Sequence, residues 1–500
     1  MSEDPLGPEE RERLEKQFQT GLRALEEGRA TDAVEVFESI VRGGFSNATL
    51  MGTYGNALRL AERPQEAVRA CLRAVEDEPE VVGWRVNLGA AELACGRWEK
   101  AVGIYQSALK IWPESADLFF NLGTALLSGD RWMDAVEAFE ASLRLDSDFV
   151  KAWENLGAAR KLVGDMSGYL AAYREAAEKD PDDPEASWNF GVALLHHAQW
   201  LEGWERFESR LRVENMTRRE WDVPRWDGRF EPGASLLVHA EQGFGDTFQF
   251  MRFLPQIKER VREVAFVVQR PLVPLLTGLD GCDVVVGSVD EVERYDFHLP
   301  LLSTPRMLGQ VFEEARDCGP YLRVPDGRDQ TWAKTIDELE GFKVGFGWRG
   351  NASYREDYLR SMSVESFAPI LSVPGVSFLS LQKGADAELA SLTSMSLTLL
   401  GDGLDSREAF CDTAALASAL DLVITTDTAL AHLAGAIGAP VWLLLPAVAD
   451  WRWGIEGATT AWYDTMRIFR QSTLGDWSDV VEAVCEALSE LSSRQARELG

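Results

Sequence analysis

The sequence predicts an α-helical solenoid followed by an α/β region built on parallel sheets, and three observations carry this prediction. Gly21, Gly55, Gly89, Gly123, Gly157 and Gly191 stand 34 residues apart, and small and bulky positions keep step with them. Beyond about residue 217 that rhythm gives way to short apolar runs separated by loops and helical stretches. A period of this length marks stacked units, none of which buries its apolar face alone.

Twelve residues after each glycine stand Ala33, Ala67, Ala101, Ala135, Tyr169 and Gly203, and four further on stand Phe37, Cys71, Tyr105, Phe139, Tyr173 and Phe207. A small residue where two helices approach, an aromatic wedge between them, and Pro79, Pro113 and Pro181 in the turns describe a helix-turn-helix unit. The pattern resembles the tetratricopeptide repeat from Leu14 to about Val213. Six such units, bounded at residues 14–217, are expected to stack into a right-handed superhelix whose concave groove takes up peptides or protein segments. Asn87, Asn121, Asn155 and Asn189 recur at the same interval of 34 and form a ladder. A carboxamide both donates and accepts, so such a ladder suits an extended backbone whatever its side chains. It is similar to the asparagine ladder of the O-GlcNAc transferase family, which joins these repeats to a GT-B catalytic region. These four residues are the acceptor-binding candidates, although asparagine also serves the repeat itself at this position.

Composition narrows the classes of partner. Lys and Arg number 50 against 81 Asp and Glu, a formal charge of -31, which disfavours nucleic acid and anionic membrane. Cys71, Cys95, Cys282, Cys318, Cys411 and Cys485 show no paired spacing, so a reducing compartment is expected. The first residues are acidic where a signal peptide is basic and then apolar, and the stretch Ala414 to Val448 is interrupted by Asp421, Asp427 and His432. The expectation is a soluble, cytoplasmic protein without stable membrane insertion.

The sixth unit is irregular, with Arg210 at a position usually small, and it runs into a Trp/Pro/Gly-rich junction over residues 218–234. Strands are then expected at Ser235–Ala240, Val264–Val268, Val284–Val286 and Phe297–Leu299. A second series is expected from Lys343 (KVGFGW), Val376–Leu381, Leu397–Leu400, Leu420–Thr425 and Val441–Leu445, with a closing helix at Asp479–Leu491. Near-continuous apolar strands bounded by helices imply parallel sheets covered on both faces. The reading is an N-terminal Rossmann-like lobe over 235–341, a C-terminal Rossmann-like lobe over 342–475, and a C-terminal helix and tail over 476–500. Ligands belong at the carboxyl ends of such strands, in a cleft between the lobes.

The strongest local motif is Thr425 to Pro440, TTDTALAHLAGAIGAP. An apolar strand ends, Asp427 and Thr428 turn, and a small-residue helix begins, placing unpaired amides of Thr428, Ala429 and Leu430 at a positive helix terminus suited to phosphate. His432 follows Thr428 by four residues on the same face. Read structurally, the same stretch is an N-cap and a packed histidine. It resembles the carboxyl-lobe motif of the ADP-heptose type of GT-B glycosyltransferases, in which donor phosphates and sugar meet the Asp-Thr turn. The loop Glu241 to Asp246 (EQGFGD) is similar to that family's Gly-Asp loop, and the resemblance implies Gly243 and Gly245 at the donor and Asp246 as catalytic base. Asp246 also reads as an N-cap, and His239 is the rival base. Glu241 and Asp246 are too close in one loop to flank a sugar as paired carboxylates.

A leaving diphosphate needs cations in so acidic a chain. Arg349, Arg355 and Arg360 crowd one loop, with Asn351 and Ser361 beside them, and Gln382 and Lys383 end the next expected strand. The resemblance makes Arg349, Asn351, Arg360, Ser361, Gln382, Lys383, Asp427, Thr428, Ala429 and His432 donor-site candidates, while Arg355, between Tyr354 and Glu356, also reads as solvated. There is no Asp-x-Asp element in the second half, no Cys or His pair at metal spacing and no P-loop, so neither a metal nor a cofactor is expected. The leading expectation is a metal-independent, inverting glycosyltransferase moving a sugar from a nucleotide to a hydroxyl of a protein acceptor held by the repeats, for example a bacterial surface protein such as flagellin. The alternatives are a non-catalytic repeat scaffold with a degenerate GT-B module and a heptosyltransferase-like enzyme acting on a glycolipid.

Overall fold

The computed structural model describes residues 7–213, 219, 221–309, 319–325, 327–351, 357–389, 392, 397–406 and 408–499. Arg355 and Cys318, singled out in the sequence, lie outside the described residues. The chain divides into two compact units, Met1–Pro181 and Asp182–Gly500.

The first unit holds helices α1 (Pro8–Glu26) to α10 (Met166–Lys179), paired two by two as the repeat requires. The comb glycines lie against the bulky position of the following helix. A Cβ on Gly89 would stand 2.4 Å from Tyr105 Cζ, and one on Gly123 would stand 2.7 Å from Phe139 Cε1, distances no real side chain tolerates. Tyr105 and Phe139 are accordingly buried in one core with Leu118, Leu122 and Leu156. A second periodicity appears in the backbone. Gly28, Glu62, Gly96, Asp130 and Gly164 all take positive φ, at 72°, 58°, 75°, 56° and 81°, in the turn joining the helices of each pair. Glycine adopts this left-handed geometry without strain, whereas Glu62 and Asp130 do not.

The second unit begins with α11 (Pro184–His196) and α12 (Trp200–Phe207). By sequence these two helices count with the repeats, but they pack with the α/β region: Leu195, Trp204 and Phe207 share one core with Trp226, Phe250 and Trp451. Trp204 meets Phe250 and Trp451 edge-on, with centroids 5.9 and 5.4 Å apart. Arg210, the irregular residue of the sixth unit, is 1% exposed and pairs with Glu208 and Glu241.

Two separate parallel sheets follow. The first contains β1 (Glu231–His239), β2 (Val261–Val267), β3 (Val284–Val286) and β4 (Phe297–Pro300) in the order β3-β2-β1-β4. The second contains β5 (Phe342–Gly347), β6 (Val376–Ser380), β7 (Leu397–Thr398), β8 (Leu422–Thr426), β9 (Val441–Leu445) and β10 (Met466–Arg470) in the order β10-β9-β8-β5-β6-β7. Numbered within its own series, the second sheet runs 3-2-1-4-5-6, the doubly wound order of a dinucleotide-binding fold. Every expected strand is present, β1 starting four residues early inside the assigned junction and β7 being shorter than foreseen. Strand β10 was not foreseen, because its alternation Met-Arg-Ile-Phe-Arg breaks the apolar run that marks the other strands. Within the sheet it pairs with β9 as the outermost strand, where Arg467 reaches solvent.

The second sheet is covered on both faces. Its outer face packs Phe346, Phe378, Ile424 and Leu444 against Val480, Val484 and Leu488 of the terminal helix Ser478–Leu499. Its inner face carries Leu379, Val423 and Leu443 into the core shared with the first lobe. The lobes join through the Phe244–Phe250 helix: Phe244 and Phe248 meet Phe410, with centroids 5.4 and 5.3 Å apart.

Candidate functional site

The strand order of the second sheet reverses between β5 and β8, which lie side by side. Their carboxyl ends therefore release the Trp348–Asn351 loop and the Asp427–Thr428 turn next to each other, the crevice where doubly wound sheets hold ligands. The approach is tight: a Cβ on Gly347 would stand 3.1 Å from Leu430 Cδ2 and 3.6 Å from Thr425 Oγ1.

The β5 loop is held by hydrogen bonds. The Arg349 N–H donates to Gln382 Oε1 at 3.3 Å, and its guanidinium pairs with Glu388 at 2.7 Å. The Gly350 N–H donates to Ser361 Oγ at 2.9 Å, and that hydroxyl donates to Asp357 Oδ2 at 2.7 Å. Asp357 Oδ1 in turn accepts from Arg360 Nε at 3.0 Å, so Ser361 and the buried Asp357 fix the arginine. Glycine is required at 350, where a Cβ would stand 2.3 Å from Asp357 Oδ1. Lys383 Nζ donates to the Asp405 carbonyl at 2.9 Å, and Asn351 is exposed at the end of the loop. The structure thus gathers Arg349, Arg360, Ser361 and Gln382 around one loop, with Lys383 turned toward the Asp405 segment.

On the β8 side, Thr428 begins the Ala429–Ile437 helix without a side-chain cap, its hydroxyl 3.2 Å from Thr425 Oγ1. The Thr426 hydroxyl is buried and has no hydrogen-bond partner. Asp427 is 9% exposed, and burial followed by the nearby Asp450 pushes its carboxyl up to about 6, against the opposing pull of Arg360 and Arg452. His432 is buried, its Nδ1 2.9 Å from the Tyr463 hydroxyl and its ring stacked on Trp453 at 5.0 Å. Burial, then Arg452, pushes it down to about 3, so it is a neutral imidazole.

The first lobe delivers Asp246 to this neighbourhood. Gly245 permits the approach, since a Cβ there would stand 2.9 Å from His432 Cδ2 and 3.6 Å from Ala429 Cα. The N-cap of this helix is Gly243, and Asp246 stands at the third helical position, where its Oδ2 accepts the Gly243 N–H at 2.9 Å as in a capping box, while Oδ1 pairs with Arg452 Nη2 at 2.5 Å. Arg452 also donates through Nε to Gln249 at 2.7 Å and through Nη1 to Asp450 at 2.8 Å. Burial opposes its charge, but Asp450 and Asp246 outweigh that and raise its pKa. At Asp246 the lobes are bridged by this ion pair where an open gap was expected.

Sequence reasoning missed Asp450 and Arg452. The signal was present: ADWRWG follows the β9 strand by a few residues, placing an acid and a base at a strand's carboxyl end. Glu241 is structural, taking Arg210 at 2.9 Å and the Leu302 N–H at 3.0 Å. His239 lies under Trp221 with centroids 4.4 Å apart, and burial pushes it down to about 3. Of the ladder, Asn87 donates to Gly52 O at 3.2 Å, Asn121 to Asp117 O at 2.7 Å and Asn155 to Thr124 Oγ1 at 3.5 Å. These three amides bond within the array, and Asn189 belongs to the second unit.

A tetratricopeptide-repeat profile matches residues 53–116 and 120–160. The helical region is a tetratricopeptide-repeat array. Protein FlbA of Caulobacter vibrioides is 30% identical over 359 residues, covering 66% of this chain and 60% of FlbA, so the chain spans about three-fifths of that curated relative. Among solved structures, a thermophilic repeat protein of Thermus thermophilus matches at 19% identity over 36% of this chain and 99% of its own, with a TM-score of 0.34. MamA of Desulfovibrio magneticus matches at 18% over 34% and 96%, with a TM-score of 0.30. Among the described residues, no helix is long and apolar enough to cross a membrane, and no group of three or more His, Cys, Asp or Glu is arranged to hold a metal ion.

Proposed function

We propose that this protein is a metal-independent, inverting glycosyltransferase of GT-B type that moves a sugar from a nucleotide donor to a hydroxyl of a polypeptide recruited by the repeats. The observation that carries the reading is the crevice at the β5–β8 reversal, where an uncapped helix start, Arg349 and Arg360 are joined from the other lobe by Asp246. Helix amides and arginines suit a leaving diphosphate, and a carboxylate facing them suits deprotonation of an acceptor. The repeats support a protein acceptor, since stacked helix pairs bind extended segments.

A scaffold with a degenerate α/β module is the second reading. It is favoured by one observation: both oxygens of Asp246 are already engaged. Incubating the protein and its Asp246→Asn variant with labelled sugar nucleotides separates the two. The enzyme reading expects transfer or slow hydrolysis by the wild type and a loss of at least about a hundredfold in the variant. No turnover by the wild type, together with no nucleotide binding by calorimetry, removes it in favour of the scaffold.

A further inference from the structure

The geometry points to Arg452 as a donor-operated latch that masks Asp246 until a nucleotide diphosphate draws the guanidinium away; this rests on the glycosyltransferase reading above. All three guanidinium nitrogens of Arg452 are engaged, and they reach both lobes: Nη2 holds Asp246 and Nε holds Gln249 from the first lobe, while Nη1 holds Asp450 from the second. Asp427, at the helix start expected to take phosphate, is close enough for Arg452 to favour its ionised form. One buried cation therefore serves three carboxylates, with Arg360 the other cation acting on Asp427. A diphosphate seated on the amides of Thr428 to Leu430 competes with Asp246 for that same guanidinium, as a bidentate acceptor of higher charge.

Release changes the chemistry of one oxygen. Asp246 Oδ2 keeps the Gly243 N–H, so the carboxylate stays in place, while Oδ1 loses Arg452 and becomes a proton acceptor. In the transfer step the acceptor O–H proton passes to Oδ1, the acceptor oxygen bonds the anomeric carbon, and the bond from that carbon to the phosphate oxygen breaks. The nucleoside diphosphate leaves with the electron pair, held by Arg452 and the helix amides. The base is thereby exposed only when there is a donor to attack.

The test is calorimetry of the full chain with UDP, GDP, ADP and dTDP. If Asp246 competes for Arg452, Asp246→Asn binds the accepted nucleotide about tenfold tighter than wild type while losing turnover. Arg452→Met binds it about tenfold more weakly, and adding Asp246→Asn to Arg452→Met changes nothing further. Equal or weaker binding by Asp246→Asn beside a wild type that binds overturns the latch and leaves the glycosyltransferase reading standing. No binding of any of the four by the wild type overturns both. Should Asp246→Asn fail to fold, Asp246→Ser retains an acceptor for the Gly243 N–H and gives the same comparison.

Discussion

At the scale of single residues, the lobes approach closely at Gly245. Gly245→Ala places a methyl 2.9 Å from His432 Cδ2, in a ring already fixed by Tyr463 and Trp453. The expected cost is about 1–3 kcal/mol, read as a lowered melting temperature of the second unit. Arg210→Ala strips the counter-charge from Glu241, which is 14% exposed at its side chain, leaves Glu208 with Arg225 alone, and is expected to cost about 3–5 kcal/mol. A pH effect follows from His239 and His298, which burial pushes down to about 3 and about 4. The unfolded chain takes up these protons first as pH falls through about 6.5, so stability is full above that value and drains away toward pH 4. The slope is about 1.4 kcal/mol per pH unit per histidine, and denaturant titrations of the His239→Gln/His298→Gln variant should show it flattened.

Single elements show what the sequence revealed and what it hid. The repeat glycines disclosed themselves by spacing, and nine of the ten strands by apolar runs, because both signals are local. Strand β10 was hidden because its partner, β9, and its solvent-facing Arg467 are properties of the sheet. The carboxyl-end crevice was legible for Arg349, Arg360 and the Asp427–Thr428 turn, since each follows a recognisable strand. The bridge from Asp246 to Arg452, 206 positions apart, was not, because nothing local records a pairing across lobes. The left-handed turn between paired helices also escaped notice, since Glu62 and Asp130 interrupt its glycines. Gly96→Ala tests it: no atom lies within 4 Å of the added methyl, so the cost is conformational alone. About 1 kcal/mol is expected in the thermal unfolding of the array.

At the scale of the molecule, the compact units part after Pro181, a whole helix pair before the repeats end in sequence. The fragment 182–500 is therefore expected to express as a folded protein. The fragment 218–500 lacks Leu195, Trp204, Phe207 and Arg210, exposing Trp451 and Phe250 and leaving Glu241 without its arginine. It is expected to aggregate or to melt well below the longer piece in calorimetry.

Both sheets also finish in strands that make poor templates. The first ends in β3 and β4, of three and four residues, and the second in the two-residue β7 and the arginine-bearing β10. Edges so short or so charged offer a stray chain few backbone groups to zip onto. At the high concentrations met on a ribosome or in a storage tube, the folded protein is thus guarded against fibril growth by the very places where its sheets stop.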